Sequence, residues 1–200
     1  MSFAFEKAEF IAGARAPAQF PPDLGREVAF AGRSNAGKSS VLNALTRRQA
    51  LARTSKQPGR TRELNFFGVT EDARLVDLPG YGFARVPAAI QRQWEHTLRR
   101  YLAERVSLAG LVVVMDIRHP FRDLDLHLLE WAEAAGLPVH LLLTKADKLG
   151  RGQQNEALMA ARARCGEMAS EVSVQLFSAL KKQGVEALRE RVSGWLGEGR

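Results

Sequence analysis

The run Gly32-Arg33-Ser34-Asn35-Ala36-Gly37-Lys38-Ser39 has the spacing G-x-x-x-x-G-K-S, the pattern of a loop built to hold phosphate. Glycines let the backbone turn and approach an anion with no Cβ in the way. The loop N–H groups and the start of the following helix then aim positive ends at it. Lys38 would reach the β- and γ-phosphates of a nucleotide, and the Ser39 hydroxyl would ligate Mg²⁺. A plain Gly-rich turn with a surface lysine is the bland alternative. The strand-like run before the motif and the helix-like run after it disfavour that alternative.

A second group is Asp77-Leu78-Pro79-Gly80 at the end of an apolar run. A carboxylate there holds Mg²⁺ mostly through water, because Mg²⁺ gives up hydration reluctantly. The Gly80 N–H can approach a γ-phosphate. Alone, D-x-x-G is any Asp before a Pro-Gly turn; following a phosphate loop, it carries the functional reading. Between the two groups, residues 51–62 are polar, basic and poor in apolar side chains. Thr61 is the candidate second hydroxyl ligand of Mg²⁺, with Thr54 and Ser55 as competitors. A loop that holds metal and γ-phosphate only with triphosphate bound is an order–disorder switch.

The third group selects the base. Thr144-Lys145-Ala146-Asp147 follows an apolar run. The Asp147 carboxylate accepts from the N1–H and exocyclic amine of guanine, a donor pair that adenine lacks on one edge. A buried charge without its partner gives large discrimination. The Lys145 stem can cover the base plane, and Ser178-Ala179 would offer a loop N–H to the guanine oxygen. T-K-x-D is weak by itself; the order phosphate loop, D-x-x-G, T-K-x-D, Ser-Ala makes it strong.

These groups need strands that end at one edge. Apolar patterning predicts strands over 27–31, 64–69, 74–78, 111–115, 139–143 and 171–177. Helical spacing predicts helices over 39–46, 88–106, 124–135, 153–168 and 185–196. Residues 1–23, ending in Pro21-Pro22, read as an extended lead-in. Strands alternating with helices imply a mostly parallel α/β sheet with helices on both faces, whose ligands bind beyond the carboxyl ends of the strands.

Composition sets the remaining bounds. The 200 residues are 46% hydrophobic and 26% charged, which suits one globular domain. Lys and Arg number 29 against 22 Asp and Glu, a net charge of +7. That suits an RNA-facing or membrane-surface protein, or solubility alone. The lone Cys165 cannot make an internal disulfide, and the N-terminus is broken by Glu6, Lys7 and Glu9. No apolar run is long enough to span a bilayer. A cytoplasmic location is the expectation. The four histidines lack metal-ligand spacing with cysteine and are assigned no chemistry.

The segments GRSNAGKSS, TSKQPGRTR, DLPGYGFA, DIRHP, TKADKL and FSALKKQG resemble the EngB/YihA/YsxC family of bacterial GTPases, within the TrmE–Era–EngA-like group. The resemblance runs from about Glu27 to the C-terminus. It implies a single Ras-like P-loop domain over 24–200, of six strands with one antiparallel, on which 1–23 pack. It implies hydrolysis of GTP and a role in assembling the large ribosomal subunit, with a link to cell division and septation. The partners would be rRNA and ribosomal proteins; DNA is not expected, and the protein would be a monomer. The ligand is GTP or GDP and the cofactor Mg²⁺. The nucleotide contacts so implied are Gly32, Arg33, Ser34, Asn35, Ala36, Gly37, Lys38, Ser39 and Ser40; Gly59, Arg60, Thr61, Arg62 and Glu63; Asp77, Leu78, Pro79 and Gly80; Thr144, Lys145, Ala146 and Asp147; and Phe177, Ser178 and Ala179.

Two departures from the general GTPase pattern matter. Thr144 stands where most have Asn, whose amide ties the base loop to the phosphate loop. A hydroxyl makes fewer bonds, so modest nucleotide affinity is expected. Tyr81 stands where Ras-type enzymes carry a water-orienting Gln; Tyr cannot orient water in the same way, so slow intrinsic hydrolysis is expected unless another element supplies the missing group. In TrmE-like GTPases an Asn at the place of Asn35 helps hold K⁺ against the phosphates. Asn35, with carbonyls of residues 56–60, is the candidate for K⁺ and for a part in catalysis here; a simple loop-capping role is its alternative.

Arg47, Arg48, Arg53, Lys56, Arg60 and Arg62 form a basic stretch without an acid. It suits contact with rRNA phosphates or a solvated loop face. Lys181 and Lys182 suit nucleotide or RNA equally. Asp116 and Asp123 read as structural, by helix capping or bridging to Arg118 or Arg122. Two other classes compete with a GTPase switch. A small ATP-using kinase leaves Asp147 unexplained, and a basic RNA scaffold with a vestigial site leaves Lys38, Ser39 and Asp77 unexplained.

Overall fold

The computed structural model describes residues 3–49, 51, 63–82, 88–168 and 171–197, with the side chains of 88–91 left aside. Among these residues the strands are β1 (Glu9–Ala14), β2 (Arg26–Gly32), β3 (Leu64–Thr70), β4 (Ala73–Asp77), β5 (Leu108–Asp116), β6 (Val139–Thr144) and β7 (Val172–Leu176). The helices are α1 (Lys38–Thr46), α2 (Ala88–Glu104), α3 (Asp123–Ala134), α4 (Arg151–Cys165) and α5 (Val185–Gly197). One sheet holds all seven strands in the order β1-β3-β4-β2-β5-β6-β7. Its pairs are parallel except β1–β3 and β3–β4. A single strand, β3, therefore runs against the other six.

Alternation along the central strand builds two cores. Val28 and Phe30 face α1 and α5, with Val41, Leu42, Leu45, Leu188 and Val192. Ala29 and Ala31 face α2, α3 and α4, with Leu98, Leu102, Leu128, Leu129 and Ala161. Strands covered on both faces must be apolar throughout, which is why β5 and β6 read as unbroken runs. The helices on both faces and the single antiparallel strand stand as expected. The sheet has seven strands rather than six, because residues 9–14 add to the edge of β3.

The lead-in does more than approach the sheet. Phe3, Phe5 and Ala8 are buried in the α1/α5 core, whereas Ala14 and the partly buried Phe20 join the other core. The expected helix over 88–106 ends at Glu104, because the Asp23 carboxylate takes the N–H groups of Val106 (3.0 Å) and Ser107 (2.8 Å). The expected helix over 153–168 runs from Arg151 to Cys165 and stops at Gly166, a poor helix former. Trp94 is half-buried and Tyr101 fully buried, so the aromatics of α2 serve the core.

Candidate nucleotide-binding site

The parallel strands β2, β4, β6 and β7 deliver four loops to one edge. The first loop leaves β2 at Gly32, where an added Cβ would lie 2.7 Å from the Val114 carbonyl oxygen. Only glycine lets these strands meet there. Gly37 has φ +100° and caps α1 from the left-handed region, which frees the first turn of N–H groups from a side-chain cap. Lys38 opens α1, and its ammonium is ion-paired with Asp77 at the end of β4. Both side chains are about nine-tenths buried.

The loop after β4 lies on the phosphate loop. Leu78 N–H donates to Phe30 O (3.0 Å), and Ser34 N–H donates to Tyr81 O (2.8 Å). A Cβ on Gly80 would sit 3.6 Å from Ser34 N, so Gly80 is at the lip of the loop. Tyr81 is buried, and its hydroxyl donates to Asp125 of α3 at 2.7 Å. The phenol thus turns into the protein and takes no Gln-like position over the loop. Burial and the neighbouring Asp125 charge push its pKa well up.

The base loop is bound to the phosphate loop twice. The Thr144 hydroxyl lies 2.5 Å from Ala36 O and 3.0 Å from Met115 O; one proton serves both. Lys145 Nζ donates to Asn35 O at 2.7 Å and pairs with Asp116 at 2.9 Å. Asp147 accepts from the Ser178 hydroxyl at 2.5 Å. That bond holds its carboxyl below the usual range, so it stays an ionised acceptor. Ala146 N–H donates to Phe177 O (3.1 Å), and the Gln154 amide of α4 donates to the Ala146 and Leu149 carbonyls, both at 2.9 Å.

Lys38 with Asp77, Thr144 and Lys145 with Ala36 and Asn35, and Asp147 with Ser178 therefore form one continuous edge. Leu78, Pro79 and Gly80 follow Asp77 on it. Ser39 and Ser40 follow Lys38 in the first turn of α1, and Ala179 follows Ser178. Asn35 is exposed with φ +65°. Arg33 is directed beneath the second loop, where its Nε lies 3.1 Å from a Cβ built on Gly82. Glu63 turns instead to Arg15, at 2.8 Å. Gly59, Arg60, Thr61 and Arg62, with Arg53, Thr54, Ser55 and Lys56, lie outside the described residues.

Among the described residues no group of three or more His, Cys, Asp or Glu could hold a metal. One hydroxyl and one carboxylate, Ser39 and Asp77, are a donor set suited to Mg²⁺, which keeps waters and takes other oxygens from phosphate. Bound there, Mg²⁺ would neutralise charge on the phosphates.

Sequence reasoning missed Gln154, Asp125 and the Lys145–Asp116 pair. Asp116 bridges to Arg118 as expected, at 2.7 Å. The cap of α3 is Asp125 rather than Asp123, through the Arg122 N–H at 3.0 Å. Asp125 sits three residues after Arg122, the spacing that could have revealed it. Two of the six arginines and lysines read as RNA-facing make contacts within the protein while staying exposed. Arg47 pairs with Glu6 (3.4 Å) and Glu186 (3.1 Å), and Arg48 bonds the Ala8 carbonyl. Lys181 and Lys182 are exposed.

This arrangement is that of a P-loop GTPase, and comparison with known proteins agrees. Residues 27–145 match the family model described as 50S ribosome-binding GTPase. A Stenotrophomonas maltophilia protein named "Probable GTP-binding protein EngB" is 54% identical over 198 residues, 98% of this chain and 99% of that one. A Nitrosococcus oceani protein of the same name is 51% identical over the whole of both chains. A crystal structure of a probable GTP-binding protein engB has TM-score 0.68 at 20% identity, covering 86% of this chain and 99% of that one; it supports the Ras-like fold. The chain belongs to the EngB GTP-binding protein family and is a GTPase. Among the described residues no helix is long and apolar enough to cross a membrane.

Proposed function

We propose that the protein is a cytoplasmic, monomeric GTP-driven switch that assists assembly of the large ribosomal subunit and through it bears on cell division and septation. The reading is carried by the loop edge itself. Groups for phosphate, metal and guanine stand in one line, and Lys38–Asp77 is a pair that an incoming phosphate and Mg²⁺ would part. Lys38 would move to the phosphates while Asp77 turned to the metal's water shell. Asp147, kept ionised by Ser178, would select guanine, and Ser39 with Thr61 would ligate Mg²⁺. The family model's description as ribosome-binding and the net charge of +7 support the ribosomal partner, with rRNA phosphates as the contact.

Hydrolysis would be slow, since the Tyr81 hydroxyl is engaged by Asp125. The exposed Asn35 is the candidate for holding K⁺ in compensation. Residues 24–200 would act as one domain carrying residues 1–23. Cosedimentation with large subunits tests the proposal: binding with a non-hydrolysable GTP analogue and release with GDP is expected. Equal binding in both states would refute a switch and favour an RNA scaffold.

A further inference from the structure

We propose that Asp116, at the carboxyl end of β5, is a positioning residue for guanine nucleotide binding, acting through Lys145. This rests on the nucleotide site proposed above. The register of the sheet sets Asp116 directly beside Thr144, so the following residue, Lys145, leaves β6 next to its carboxylate. Lys145 turns with φ +58° and sends its ammonium to two acceptors at once. Asn35 O is 2.7 Å away and Asp116 Oδ2 2.9 Å away.

Asp116 is itself fixed. Its Oδ1 accepts the Arg118 N–H (3.1 Å) and Nε–H (3.0 Å), and its Oδ2 accepts Arg118 Nη2–H (2.7 Å). The Asp116 side chain is 15% exposed and that of Lys145 32%, so water screens the pair less than a surface bridge. These bonds, led by Arg118, also hold the Asp116 carboxyl well below the usual carboxylate range.

A free lysine stem samples many rotamers, and stacking it on a base costs that freedom. Asp116 removes the cost before the nucleotide arrives, which is preorganisation. The need for it follows from Thr144. Its single hydroxyl proton leaves the tie between base loop and phosphate loop thin, and the anchored Lys145 supplies a second one.

The test is a double-mutant cycle read as the dissociation rate of fluorescent GDP and of a fluorescent GTP analogue. Asp116→Ala is expected to speed both by about tenfold, a change equal to about 1.4 kcal/mol. Asp116→Asn, nearly isosteric, is expected to act in the same direction, with thermal unfolding followed in parallel. In the Lys145→Ala background, Asp116→Ala should add nothing further. A silent Asp116→Ala, or effects that multiply with those of Lys145→Ala, overturns the inference. If Lys145→Ala and Asp147→Asn both leave affinity unchanged, the site reading itself has failed.

Discussion

The two ends of the sheet are built on opposite plans. At the amino end of β2, Glu27 is fully buried between two arginines. It lies 3.1 Å from Arg74 and 2.6 Å from Arg105, and it accepts the Tyr101 hydroxyl at 3.1 Å. Arg105 also reaches Asp23 (3.4 Å), and Arg74 bonds the carbonyls of Pro22 and Leu24. Every charge there is answered by protein. At the carboxyl end, among the described residues, Lys38 and Asp77 answer only each other, where on the proposed reading phosphate and metal would replace both partners. One end is locked by ion pairs that nothing displaces; the other is held by pairs that a ligand can rearrange. Affinity changes should therefore come from one end and stability changes from the other.

The strongest way to break this contrast is Glu27→Ala. It takes Arg74's carboxylate partner away and leaves Arg105 with Asp23, and it should lower the unfolding free energy by about 3–5 kcal/mol in urea titration, while the folded fraction keeps its affinity for GDP. A similar loss of affinity would show that the two ends are coupled. Lys38→Ala should instead be felt first in affinity. Loss of a charge-assisted phosphate contact should weaken nucleotide binding by about 100-fold, or about 3 kcal/mol, in equilibrium titration; the urea midpoint of the nucleotide-free protein should fall as well, because the buried Asp77 carboxylate is left without its partner.

His140 sharpens the comparison through pH. It lies near the start of β6, with its ring nitrogens 2.7 Å from Ser173 Oγ and 2.9 Å from Gln175 Oε1. Trp195 packs edge-on at 6.5 Å. Burial lowers its pKa from 6.5 to about 4, against the Gln175 bond that raises it, while Arg191 adds repulsion. The fold holds the neutral ring, so its contribution is full above pH 6.5. It falls as pH drops from 6.5 towards 4, where the unfolded chain takes the proton first, and is lost below that. The total is about 3 kcal/mol, to be read as urea midpoints across this window and absent in His140→Gln.

The smallest effect expected is that of Tyr81→Phe. Asp125 loses one donor, costing about 1–3 kcal/mol in unfolding free energy. Single-turnover hydrolysis should change by less than about threefold, because the hydroxyl is directed to Asp125 of α3. A large loss of rate would restore Tyr81 to the role of the missing Gln.

The loops were legible because their chemistry demands particular residues: glycine where strands nearly touch, lysine at the helix start, aspartate at strand ends. The runs Leu111–Met115 and Val139–Leu143 were legible because strands covered on both faces admit little else. The edge strand Glu9–Ala14 was not, since its sequence does not alternate; pairing with β3, interrupted by a bulge between Phe10 and Ala12, makes it a strand. Glu27 was read only as part of a strand because its partners come from β4 and the end of α2. A charge inside the run EVAFA was the one available sign that such partners exist. The Lys145–Asp116 pair depends on sheet register, which residue spacing does not state.

The lead-in has a consequence in time. Phe5 lies under the Arg189 guanidinium of α5 at 5.2 Å, and Glu6 pairs with the same arginine at 2.7 Å. The Glu6–Arg189 pair joins residues 183 positions apart in the chain. Phe3 and Phe5 complete their packing only once α5 has been made and has docked. Contacts between such distant parts of a chain carry a high loop-closure cost, so the α1/α5 core is expected to close slowly.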